Sequence, residues 1–409
     1  MKILLLTFLF YSICFAQKFS VKEVVHRAEI QVSNQLNNNN DPAVIPRSTD
    51  ENGELKYVDI YDWTSGFFAG TLWNLYELTG DKKWIDDAKR WTEALEDLQY
   101  LKDHHDVGFM LMCSFGNGLR LMRYPEYKQI IINGAESLSS RFNPVVGAIK
   151  SWNVFKSWDG ENVYHYPVIV DNMMNLELLF RASELSGDEK YKEIAITHAR
   201  TTMENHYRDD FSSYHVVCYD SYTGEVLAKE TAQGFSDESS WARGQAWGLY
   251  GFVICYRETG LKEFLEQAEN IADFIINHPN MPEDEIPFWD YNADQSGFIP
   301  QWNYERYSFD EIPRDASAAA ITASALLELS TYSENGNQYK LFADKILNSL
   351  SSPEYLAEPG ENNNFILKHS VGSIPHGFEV DSPINYTDYY FLEALIRKNK
   401  IETNVSLFK

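Results

Sequence analysis

Apolar residues recur at three- and four-residue intervals along most of the chain, the period of one face of an α-helix. The pattern predicts twelve helices, near 20–36, 64–79, 82–98, 109–122, 127–141, 172–186, 189–206, 238–258, 262–278, 315–330, 338–351 and 386–397. Some carry a single stripe, as Trp84, Ala88, Trp91 and Leu95 do with charge opposite; others, such as Thr64–Gly70 and Asp315–Ala323, are rich in small and aromatic residues. A recurring phrase separates them: Glu77-Leu-Thr-Gly-Asp81 before Trp84, and Glu184-Leu-Ser-Gly-Asp188 before Tyr191, with weaker copies at Gly260 and Gly336. Glycine just past a periodic segment is a favoured helix stop, so each copy reads as a helical hairpin, and a degenerate one fits around Arg123-Tyr-Pro125. Twelve helices in alternating pairs close as six inner helices within six outer ones, an all-α (α/α)6 barrel of six hairpins.

Between the helices lie long segments, 143–170, 207–236, 279–314 and 352–385, rich in aromatic and polar residues. Loops of this length in a compact domain usually carry function. His215-Val-Val-Cys-Tyr219, followed by a Thr223-Gly224 turn, predicts a short strand hairpin.

The ends and the composition narrow the class. Met1-Lys2, an apolar run Ile3–Phe15 and Ala16 read as a secretory signal peptide over 1–16, leaving 17–409 as a single catalytic domain. Export is expected, to the periplasm, with secretion or lipid anchoring at Cys14 as alternatives; Ile13 is a poor residue before a lipidated cysteine. No further stretch is long and apolar enough to insert in a membrane. Cys113, Cys218 and Cys255 are an odd set on a long chain, which argues against a disulfide framework. A formal charge of -25 disfavours nucleic acid and anionic membrane as partners, and an anionic small substrate would need a local cationic pocket. Oligomeric state is not legible.

Two aspartates stand out. Asp106, in His104-His-Asp-Val-Gly-Phe109, and Asp171, after Val168-Ile-Val170, each precede a predicted helix. Either alone reads equally well as a helix N-cap. Together they suggest a pair in which burial and a second negative group keep one carboxyl protonated. Arg243 and Trp247 share a helix face, so a guanidinium fork for a carboxylate could sit beside a ring for a sugar; the alternative is a salt bridge beside a core tryptophan. Gly244, inside the same helix, suggests close approach by a neighbour or ligand. Trp63 and Phe67 lie one turn apart and suit a pocket wall or the core equally. His215 is a polar pocket candidate. His104 and His105 adjoin Asp106, but sequence neighbours rarely aim at one ion and no separated ligand set accompanies them, so no metal is expected. There is no phosphate loop or nucleophile elbow.

The segments Asp62-Trp-Thr-Ser-Gly-Phe67, His105-Asp-Val-Gly-Phe109, Ser114-Phe-Gly-Asn-Gly118, Val170-Asp-Asn-Met-Met-Asn-Leu-Glu177, Gln233-Gly-Phe-Ser-Asp237, Trp241-Ala-Arg-Gly-Gln-Ala-Trp247 and Pro313-Arg-Asp-Ala-Ser-Ala318 run in one order over nearly the whole chain. In this the sequence resembles the unsaturated glucuronyl hydrolases of glycoside hydrolase family 88. The resemblance implies a six-hairpin α/α barrel acting on oligosaccharides with a 4,5-unsaturated uronate at the non-reducing end, by hydration of a vinyl ether and with no cofactor. It implies Asp171 as general acid/base and Asp106 as its partner. His215, Gln233, Arg243 and Trp247 match pocket positions, Trp63 a stacking platform, and Thr231 joins them as substrate-binding. The alternatives are the related unsaturated rhamnogalacturonyl hydrolases and a non-catalytic glycan-binding protein. Lys229, Lys368, His369, Ser370 and Ser373 lie in segments that could reach a sulfate on the substrate.

Overall fold

The structure is a computed structural model describing residues 20–304 and 309–408, so the expected signal peptide lies outside the described residues. It is mostly helical: α1 (Val21–Asn38), α2 (Ser65–Thr79), α3 (Lys83–Glu93), α4 (Val107–Leu111), α5 (Asn117–Met122), α6 (Tyr127–Ser139), α7 (Leu176–Ser186), α8 (Lys190–Asn205), α9 (Ala242–Thr259), α10 (Lys262–Asn277), α11 (Ala316–Leu329), α12 (Gly336–Leu350) and α13 (Asn385–Glu402). The long segments contain small antiparallel sheets: β1 (Ile45–Thr49) with β2 (Leu55–Val58), β3 (Phe142–Asn143) with β4 (Ala148–Ile149), and β5 (Phe155–Lys156) with β6 (Val163–Tyr164). The largest orders β7 (Pro167–Ile169), β8 (Val216–Tyr219) and β9 (Val226–Glu230). The expected hairpin is therefore present as β8–β9, and β7, which alternation alone did not reveal, adds to its free edge.

The predicted stops hold where backbone geometry demands them. Gly80, Gly187 and Gly260 adopt φ of 67°, 74° and 67°, left-handed values that a Cβ disfavours. At the degenerate hairpin Arg123 takes that place, with φ 58°. Gly336 differs: α11 ends before it and Gly336 opens α12, where a Cβ would come within 2.1 Å of the Ser330 carbonyl oxygen. Other boundaries also move. The helix expected over 82–98 stops at Glu93 and resumes as a 3-10 turn over Glu96–Tyr100. The one expected over 109–122 is α4 and α5 joined by a π-helical turn, Met112–Gly116. The one expected from 172 opens as a 3-10 segment, Val170–Asn175, before α7.

Burial separates two kinds of helix. Every residue of α11 is buried, as is α9 from Ala242 to Cys255, whereas α10 buries only Phe264, Gln267, Ala268, Ile271, Ala272 and Ile275. The enclosed helices touch in sequence: α2 packs on α4, α4 on α7, α7 on α9, α9 on α11, α11 on α13, and α13 returns to α2. The amphipathic helices α3, α8, α10 and α12 cover α2, α7, α9 and α11 from outside. One hydrophobic core runs through them, from Val24 to Leu395.

Candidate active site

Asp106 occupies the N-cap position of α4, yet its side chain caps nothing. Its Oδ1 instead accepts from Asn175 Nδ2 at 3.1 Å and lies 3.2 Å from His105 Nε2. The Asn175 amide is oriented by its other end, where Oδ1 accepts from the Phe109 amide at 3.0 Å. This contact needs Gly108, because a Cβ there would come within 2.5 Å of Asn175 Cα. Asp171 sits in the 3-10 segment rather than before it, immediately after β7 and Val170. Neither aspartate is acting as a helix cap.

Asp171 keeps its proton unusually well. Its side chain is 13% exposed, and burial pushes its pKa up to about 7; the Arg243 cation opposes the rise and the charge of Asp106 adds to it. Asp171 Oδ2 has no hydrogen-bond partner among the described residues, and His215 Nε2 stands 3.7 Å away. His215 Nδ1 accepts from the backbone amides of Ala232 and Gln233, both at 3.1 Å. In the neutral ring the proton must then sit on Nε2, facing Asp171. Burial, followed by the nearby Arg243 cation, holds the His215 pKa well below its ordinary value, so the ring stays neutral. The arrangement offers an acid that exchanges its proton near neutral pH, a ring N–H and a second carboxylate.

The other sequence-predicted residues divide. Gln233 lies beside this group, its Oε1 accepting from Arg243 Nη2 at 3.1 Å. Trp63 is partly buried and packs on Tyr386, Phe67 and Phe109 at centroid distances of 5.1, 5.8 and 5.6 Å, a position compatible with a platform. Trp247 is a correction: it is wholly buried between Phe109 and Tyr390, so its ring supports the site from beneath and cannot stack on a sugar. Arg243 is a second correction. Its Nη1 donates to Asp315 Oδ2 and the Val371 carbonyl, and its Nη2 to Gln233 and the Gly372 carbonyl, so the fork is occupied by protein acceptors rather than free for a carboxylate. Gly244 is approached by protein, with the Trp241 ring 2.6 Å from where a Cβ would be. Thr231 is a third correction: it is buried, its Oγ1 accepting from Gly234 N at 2.8 Å, which makes it a brace of the 231–236 loop.

Among the residues considered for sulfate, Lys368 donates to the Pro353 carbonyl, His369 pairs with Asp381, and Ser370 and Ser373 are buried, bonded to Thr387 and His376. Lys229 Nζ lies over the Tyr214 ring. The sequence neighbours His104, His105 and Asp106 do converge, with one ligand-type atom from each within 4.8 Å of the others, although the Nδ1 of His104 already accepts from the Asp106 amide.

Asn175 and Asp315 were not singled out from sequence. Asn175 lies one helical turn beyond Asp171, a spacing that could have drawn attention to it. Asp315 caps α11 through the Ser317 amide while holding Arg243, and its Asp-Ala-Ser pattern signals only the cap. Beside Gln233 opens a cleft of about 580 Å³ walled by Trp152, Trp158, His376 and Phe378. Its tryptophans lie in the aromatic-rich segment 143–170.

The family description Glycosyl Hydrolase Family 88 matches residues 37–394. An unsaturated glucuronyl hydrolase of Formosa agariphila is 45% identical over 360 residues, 87% of this chain and 85% of that protein. An unsaturated chondroitin disaccharide hydrolase of Streptococcus agalactiae is 34% identical, covering 93% and 92%. A crystal structure of an unsaturated glucuronyl hydrolase specific for heparin shares 49% identity and a TM-score of 0.86, covering 94% of this chain and 98% of that one. With likeness extending over most of both chains, this protein belongs to glycosyl hydrolase family 88 and is a glycosidase.

Proposed function

We propose that the protein removes a 4,5-unsaturated uronate from the non-reducing end of lyase-generated oligosaccharides, as an (α/α)6 barrel formed by residues 17–409 and exported to the periplasm. The circuit of enclosed helices and the continuous core that runs through them support the barrel reading. The observation that carries the activity is the state of Asp171: largely buried, with a pKa near 7, and with Oδ2 unpartnered opposite a neutral His215.

In this reading Asp171 donates its proton to C4 of the vinyl ether, and the positive charge that develops at C5 is met by water. The Asp171 carboxylate takes a proton from that water as the C5–O bond forms. The resulting hemiketal opens and expels the remaining sugar. Asp106, held by Asn175, binds ring hydroxyls and by its charge favours the protonated form of Asp171. The neutral His215 N–H can orient the incoming water. The cleft walled by Trp152, Trp158, His376 and Phe378 receives the leaving sugar.

The test is to supply unsaturated disaccharides from lyase digests and follow ultraviolet absorbance. Hydration destroys the conjugated enol acid, so absorbance should fall as the neighbouring sugar is released. Binding without loss of absorbance would reduce the protein to a glycan-binding module, and a product set restricted to rhamnose would move it to the rhamnogalacturonyl hydrolases. N-terminal sequencing of periplasmic protein tests export: a start near Gln17 is expected, and retention of Met1 in a cytoplasmic product would refute it.

A further inference from the structure

Glu379 lies outside the acid pair, yet it joins three parts of the molecule that surround it. Its carboxylate is nearly enclosed, with a side chain 1% exposed, and its backbone takes a φ of 54°, an uncommon value for a residue with a Cβ. Arg47, on β1, grips it with Nε at 2.6 Å and Nη2 at 3.1 Å, while Ser48 Oγ donates at 2.8 Å. The remaining Arg47 nitrogen, Nη1, donates to Asp62 Oδ2 at 2.7 Å, immediately before Trp63. On its other side Glu379 accepts from the Gly372 amide through its carbonyl at 2.7 Å. Its Oε2 lies 2.3 Å from where a Cβ on residue 372 would be, so only glycine fits there.

Gly372 and Val371 belong to the hairpin whose ladder pairs Ser370 with Ser382 and Ser373 with Phe378. Their carbonyls are the acceptors that hold the Arg243 guanidinium. The same hairpin carries His376 and Phe378 into the cleft wall. Cutting the link between Glu379 and Arg47 would therefore loosen the acceptors that fix the cation beside Asp171. We propose that Glu379, clamped by Arg47, is a positioning residue for the reaction: it sets the 370–382 hairpin, and through it the placement of Arg243 beside Asp171. This rests on the reading of Asp171 as the acid.

The charged and titratable groups facing Asp171 are Asp106 ahead of α4, His215 immediately before β8 and Arg243 on α9, with Asp315 behind Arg243. Arg243 holds the acid's affinity for its proton down, so a displaced Arg243 raises it. Simply deleting the negative charge of Glu379 acts the other way, since a more positive surrounding favours the carboxylate. The sign separates positioning from a direct field effect.

The experiment measures kcat/KM against pH for Glu379→Gln and for the double variant Arg47→Met/Glu379→Gln, which removes both charges of the clamp and is read in place of the single variant if that one fails to fold by circular dichroism. Expected are a fall in kcat/KM of about tenfold to a hundredfold, the scale of a small misplacement of catalytic groups, and an alkaline limb moved to higher pH. A limb that stays in place or moves to lower pH, whatever happens to thermal stability, makes Glu379 a structural brace and overturns the proposal. Full activity in Asp171→Asn would instead overturn the acid assignment, so the two failures are distinguishable.

Discussion

Two carboxylates of nearly equal exposure, one at the candidate active site and one near the C-terminal end of α2, end in opposite states. Asp171 has a side chain 13% exposed and a pKa near 7; Glu77, on α2, is 11% exposed and its pKa lies below the ordinary value. Burial pushes both up. At Glu77 that push is overcome by Arg120, which binds both oxygens at 2.9 and 2.6 Å, and by Lys400 at 2.7 Å. At Asp171 the nearby cation, Arg243, spends its hydrogen bonds on other acceptors, and Oδ2 has no partner among the described residues. Partners rather than depth decide whether a buried carboxyl serves structure or chemistry.

The sharpest way to break this contrast is to neutralise each acid. Asp171→Asn should lower turnover by about 100-fold to 10,000-fold, the usual worth of a placed acid, with the fold intact by circular dichroism. Glu77→Gln should leave turnover close to the parent value and lower Tm instead. Steady-state assays of both would collapse the comparison if the effects were exchanged.

A second pairing extends the structural side. Glu328 is fully buried and accepts from Arg257 at 3.1 Å and Arg397 at 2.8 Å. Glu328→Gln strands part of two buried cations, and a loss of about 3–5 kcal/mol in denaturant unfolding is expected; an unchanged midpoint would refute that role. Asp106→Asn acts more gently. Because Asp106 raises the pKa of Asp171, its neutralisation should shift the alkaline limb of kcat/KM to lower pH and cost about fivefold at pH 7 for a shift of about one unit. A limb unmoved would detach Asp106 from the acid.

The smallest expected effect is on stability. The folded pKa of Asp171 is raised above its unfolded value, so the folded state binds the proton more tightly, and Asp171 costs stability as pH rises from about 4 through about 7. Glu77 is the converse: its depressed pKa stabilises the fold above the unfolded value, and that contribution is lost as pH falls through the folded one. Asp171→Asn should therefore raise Tm by roughly one to a few degrees above pH 7, with the gain vanishing in acid. Thermal melts across pH give the sign directly.

Much of the fold was legible because helices and their stops obey local rules. Periodicity marks a face, and glycine tolerates the left-handed turn at Gly80, Gly187 and Gly260. The rules misled at Gly336, whose requirement is close approach to Ser330 rather than backbone handedness, and at Trp247, whose spacing from Arg243 gives a shared face but not which side of that face is open. Asp106 and Asp171 were visible as a pair of acids before helices, whereas Asn175 and Glu379 were not, because their partners lie far away in sequence.

The sequence by itself determined the helical period, the positions of most turns, the strand hairpin at β8–β9 and the residue types from which an acid pair could be made. Tertiary structure alone decided which carboxyl would keep its proton, which cation would be committed to protein carbonyls and which tryptophan would reach the surface. Periodicity and capping depend on residues a few positions apart, but a pKa or an open ring face depends on every group within a few ångströms, and only the folded chain assembles those groups.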